Sequence, residues 1–82
     1  MKTSNKPYNG HKNYNHWNVS LWINNDEGLY ALAMKYIRAY PRQKDIAAQV
    51  MLEHLHNVCK TTTTPDGAPY SKSSIRAAIV GM

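Results

Sequence analysis

Leu29, Leu32, Ala33, Tyr36, Ile37 and Tyr40 recur at i, i+3, i+4, i+7, i+8 and i+11. That spacing puts six apolar groups on one stripe of an α-helix and commits the middle of the chain to an amphipathic helix. Asn24-Asn25-Asp26-Glu27 precedes it as a break and restart, and Asn24 with Glu27 three residues on has capping-box spacing. Asp26 and Glu27 place negative charge at the positive end of the helix dipole, and Pro41 stops the helix.

The same period flanks this segment on both sides. Upstream, Tyr14, Trp17, Leu21 and Trp22 fall on one face with Val19 and Ile23 beside them, which predicts a short helix from Tyr14 to Ile23 with Asn13 as its N-cap. Downstream, a third helix is expected to start between Gln43 and Asp45. Its inner face is Ala48, Met51, Leu52, Leu55, Val58 and Cys59, widened by Ile46 and Val50. Thr61 to Thr64 and Pro65-Asp66-Gly67 end that helix in a turn, and Pro69 extends the loop. Ser71 then caps a last helix with Ile75, Ala78, Ile79 and Met82 inward. No stretch alternates with period two for long enough to predict a strand. The expectation is an all-α fold, one small domain of about four helices spanning residues 13–82. Residues 1–12 are polar and basic and are expected to form a flexible tail.

Eighty-two residues hold one thin core, and Cys59, the single cysteine, rules out an internal disulfide. The first residues carry no apolar run of signal-peptide type, and no apolar stretch approaches a membrane span, so a soluble, intracellular chain is expected. Ten basic against five acidic residues give a net charge of +5, which suits contact with nucleic acid or with an acidic protein surface.

Chemistry-bearing clusters are sparse. His56 and Cys59 share a helical face, but a structural zinc site needs four ligands, and the second pair would have to be His11 and His16, beside the tail. Cys59 reads more simply as a small core residue. Glu53, His56 and Cys59 could supply a base, an orienting group and a nucleophile, yet their spacing is not diagnostic. Gly10, Gly28, Gly67 and Gly81 are scattered singly and form no phosphate loop. The expectation is a binding protein, neither an enzyme nor the holder of a metal or cofactor.

Two surfaces are candidates for binding. Lys2, Lys6 and Lys12 with Tyr8 and Tyr14 make a basic, aromatic arm, and Lys72 and Arg76 lie on a last helix whose start is rich in serine. Together they suit phosphate contact and base stacking. The loop before Tyr70 is too long for a helix-turn-helix, and the simpler role of Ser71 and Ser74 is capping. That set is the alternative; the leading candidate is a protein-binding patch. Trp22 and Tyr30 lie off the centre of their apolar stripes, both types are enriched at interface hot spots, and Lys35, Arg38 and Arg42 cluster around the end of the second helix.

The run from Asn13 to Tyr30 resembles a family of small uncharacterised proteins carried mostly by bacteriophages and mobile elements. Their block reads N-Y-x-x-W-N-V-x-L-W-I/L-x-N-D-E-G-L-Y. Asn15-His16 departs from the Glu-Thr pair of that family, and the ending from Pro65-Asp66-Gly67 to Ile79 is also similar. The resemblance implies an origin and no activity or active site. Such an origin implies work in a bacterial host cytoplasm by binding a host protein or ribonucleoprotein, for instance as an inhibitor of a defence system such as a CRISPR effector. The positive charge speaks against DNA mimicry as the route. A second copy of the chain is a further partner that the sequence leaves open.

Overall fold

The computed structural model describes residues 13–82, so the expected tail, with Lys2, Lys6, Tyr8, His11 and Lys12, lies outside the described residues. Four helices follow one another: α1 (Tyr14–Asn25), α2 (Glu27–Ala39), α3 (Lys44–Asn57) and α4 (Lys72–Val80). Each packs on its neighbours in chain order, and α4 closes the ring against α1. No helix among the described residues is long and apolar enough to cross a membrane. The all-α expectation holds: the one β-type pairing there is an isolated antiparallel bridge between Thr63 and Pro69.

The core is built from Val19 and Ile23 of α1, Ala33 of α2, Met51 and Leu55 of α3, and Ile75 and Ile79 of α4. Ala47, Ala48 and Ala78 are also buried, and small side chains at such contacts let helices approach closely. Leu29, Leu32, Tyr36, Ile37 and Tyr40 of α2 pack on its edge, as their spacing predicts. Helix α4 is closed at its start by a capping box. The Ser71 hydroxyl accepts from the Ser74 backbone N–H at 3.1 Å, and the Ser74 hydroxyl accepts from the Ser71 N–H at 3.0 Å.

Three local expectations are corrected. The cap of α2 is Asp26, whose carboxylate accepts from Leu29 N–H at 2.9 Å; Asn24 is still inside α1, its amide donating to the Ser20 carbonyl. Helix α1 therefore runs to Asn25, two residues past Ile23, and Asn13 caps it as expected by accepting from His16 N–H at 3.0 Å.

On α1 the buried residues are Asn18, Val19, Ser20 and Ile23, whereas Tyr14 and Leu21 are exposed and Trp17 and Trp22 half-buried. The inward face is thus rotated toward two polar residues, because the segment between α3 and α4 lies against them and satisfies Asn18.

Helix α3 ends at Asn57, before the threonines, and Lys60 takes a positive φ of 56°. Cys59 N–H donates to the His54 carbonyl and Thr61 N–H to the Leu55 carbonyl, so the chain turns away within one step. Val58 and Cys59 leave the helical stripe and are exposed, Val58 to 66%, and Cys59 is no core residue. Ile46 is also exposed.

A polar clamp and a basic rim

The segment between α3 and α4 is held to α1 by hydrogen bonds from side chains far apart in sequence. The Asn18 amide and the Trp22 indole N–H both donate to Asp66 Oδ2, each at 2.9 Å. The Thr64 hydroxyl donates to Asn18 Oδ1 at 2.5 Å and accepts from Ala68 N–H at 3.1 Å. Gly67, with φ of 94°, lets Pro65-Asp66-Gly67 turn tightly, and its N–H donates to the Thr64 carbonyl at 2.8 Å. Asn18 and Thr64 are only 1% and 2% exposed, so their mutual bond satisfies two groups that water does not reach.

The two donors, Asn18 first and Trp22 second, hold the Asp66 carboxyl below the ordinary aspartate value, against a smaller opposing effect of burial. A depressed carboxyl contributes stability that is present above its unfolded value, about 3.9, and lost as pH falls through its lower folded value. Trp22→Phe removes one donor and keeps the ring. It is expected to lower the melting temperature at pH 6 and to cost less near pH 2, toward which the Asp66 carboxylate loses its charge. Melting curves at the two pH values check this; an equal loss at both would mean that the indole N–H does not act through the Asp66 charge.

Trp22 therefore has a structural reason for its place, its polar edge committed to Asp66 and its ring half-buried. The other four protein-binding candidates lie together. Tyr30, 44% exposed, shares the outward half of α2 with Lys35 and Arg38, and Arg42 follows in the turn after the helix. The Lys35 ammonium lies 5.4 Å from the centroid of the Tyr36 ring, and the Tyr36 hydroxyl shares a 3.2 Å hydrogen bond with His54 Nδ1 of α3.

The nucleic-acid candidates are divided. Lys72 and Arg76 are exposed one turn apart on α4, while Lys2, Lys6 and Lys12 lie outside the described residues. Arg76 pairs with Asp45 of α3, the single ion pair among the described residues. This contact joins the two candidate sets, because Arg42, Lys44 and Arg76 line one shallow, open depression of about 370 Å³, together with Gln43, Asp45 and Ile46. Sequence reasoning missed Lys44 and Ile46. Both sit in the first turn of α3, where only the packing of α3 on α4 brings them opposite Arg76.

Catalytic and metal groupings gain little from the geometry. Cys59 lies past the end of α3, so the face it was expected to share with His56 does not form. No group of three or more His, Cys, Asp or Glu among the described residues is placed to hold a metal ion. His16 Nε2 and the Ser73 hydroxyl share a 2.9 Å hydrogen bond between α1 and α4. That spacing suits a nucleophile and base, but the pair is on the exposed surface and neither residue lines the depression.

Fold and surface together define a small all-helical domain with a polar clamp on one side and a cationic, tyrosine-bearing rim on another. The chain belongs to a family of unknown function (DUF7249), whose family model matches residues 4–82. No curated protein and no solved structure matches the chain.

Proposed function

We propose that this chain is a phage-type accessory protein that binds a host protein through the outward face of α2 and the turn that follows it. The observation that carries the reading is that Tyr30, Lys35 and Arg38 are all exposed on α2 and Arg42 is exposed in the turn after it, residue types of which tyrosine and arginine dominate interface energetics. The phage origin rests on the resemblance of the Asn13–Tyr30 block. Inhibition of a host defence complex is the specific form of host binding that such an origin favours. Catalysis plays no part in this reading.

Affinity capture from bacterial host lysate, with and without nuclease, tests it. A protein recovered equally in both, and lost at least tenfold with Tyr30→Ala, Lys35→Glu and Arg38→Glu combined, is the expected result. Unchanged recovery by that variant, with its helical circular dichroism intact, would refute the α2 assignment. The second reading is a nucleic-acid-binding protein. It is favoured by Lys72 and Arg76 standing one turn apart on the exposed side of α4, and it predicts recovery that disappears with nuclease and falls steeply with salt.

A further inference from the structure

Arg42 from the α2–α3 turn, Lys44 from the first turn of α3 and Arg76 from α4 bring three cations from three elements into one depression. Two further features of its lining narrow what can fill it. Ile46 is 40% exposed there, an aliphatic side chain with no apolar neighbour among the other lining residues, Arg42, Gln43, Lys44, Asp45 and Arg76. Asp45 also lies in the lining and holds Arg76 by an exposed ion pair.

We infer that the depression is the docking point for an acidic segment of the protein partner, one that carries an aliphatic side chain beside its carboxylates. The inference rests on the protein-binding reading above and names the partner's chemistry. Carboxylates of the segment meet Arg42 and Lys44, its aliphatic group covers Ile46, and one carboxylate replaces Asp45 on Arg76. Exposed ion pairs are weak, so this exchange of one carboxylate for another costs little, and the guanidinium keeps a planar, two-pronged partner. A phosphate backbone fits less well, because it has nothing apolar to offer Ile46. The depression adjoins the α2 face through Arg42, which closes the turn between them. A partner seated on the outward face of α2 therefore has the depression next along the chain, past the end of that helix.

The test uses fluorescence anisotropy at physiological ionic strength with the full chain. The probes are a labelled peptide of repeated Glu-Glu-Leu units, an all-polar peptide of Glu-Glu-Ser units with equal charge, and a single-stranded oligonucleotide. The leucine peptide is expected to bind best. Arg42→Glu with Arg76→Glu is expected to weaken it at least tenfold. Ile46→Ser weakens the leucine peptide and leaves the serine peptide unchanged. Asp45→Asn frees Arg76 and tightens both peptides a fewfold. All four substituted positions are exposed, so helical circular dichroism is expected to stay as in the parent. Equal affinity for the two peptides, indifference to the charge reversal, or tighter binding of the oligonucleotide would each overturn the inference. The α2 assignment is judged separately, by capture with the Tyr30, Lys35 and Arg38 substitutions, so either claim can fail while the other stands.

Discussion

Asn18→Ala is expected to lower the melting temperature by roughly 10–20 °C, a loss of about 2–3 kcal/mol in a chain of this size. The size of the effect follows from what the amide does. It accepts the Thr64 hydroxyl hydrogen and gives Asp66 one of its two side-chain donors. Alanine leaves the Thr64 hydroxyl hydrogen unsatisfied at a site that water reaches poorly, and an orphaned buried donor costs more than the bond itself contributed. The loop from Thr61 to Tyr70 then loses two of its hydrogen bonds to α1 and is left with the one from Trp22 to Asp66. Since Ala68 and Tyr70 are part of the core, loosening the loop also exposes apolar surface. Thermal melts by circular dichroism check the value, and a Thr64→Val partner in a double-mutant cycle should give a total well short of additive. A shift of only a degree or two would mean that the loop is held by its apolar contacts alone.

Ile75→Ala is expected to cost about 3–4 kcal/mol, the largest single loss among the substitutions considered. Ile75 is fully buried on α4, the shortest of the four helices, which packs on both α1 and α3. Truncation opens a cavity between three helices, and nine residues with two capped serines have little stability of their own to offset it. Against a total of about 4–12 kcal/mol for a chain this length, that loss is at least about a quarter of the stability. Urea unfolding followed by circular dichroism measures the difference. Val80→Ala, at an exposed position on the same helix, is the control and should move the midpoint little.

Where the sequence pattern and the structure agree, the pattern had a local cause. Helix α2 has a wide apolar stripe and a proline stop, and α4 has Ser71 and Ser74 at its start, so periodicity and capping chemistry are sufficient. Where they differ, the cause is tertiary. Asn18 turns inward on α1 because a loop more than forty positions away brings partners to that face, and no periodicity registers such partners. Val58 and Cys59 keep helical spacing on paper, but Lys60 adopts a left-handed conformation and the helix is already closed. Asp26 displaced Asn24 as cap because its carboxylate reaches Leu29 N–H with the break placed two residues later.

The candidate site divides along the same line. Tyr30, Lys35, Arg38 and Arg42 were legible, being on or just beyond one helix. The meeting of Arg42 and Lys44 with Arg76 was not, since it depends on how α3 lies against α4. The Asn13–Tyr30 block also takes on a different meaning. Asn18 and Trp22 hold Asp66, and Asp26 caps α2, so these polar members have structural work in the fold. Of the block, only its last residue, Tyr30, belongs to the proposed contact face.

That division is open to one direct measurement: hydroxyl-radical footprinting of the chain alone and with its captured partner. Tyrosine and methionine are readily oxidised, and both occur where they are needed. Tyr30 and Met34 are one turn apart on α2, and Tyr14 on α1 is exposed about as much as Tyr30. The account predicts that the partner protects Tyr30 and Met34 and leaves Tyr14 as reactive as before. Protection of Tyr14 with Tyr30 unchanged would place the partner on α1 and contradict it.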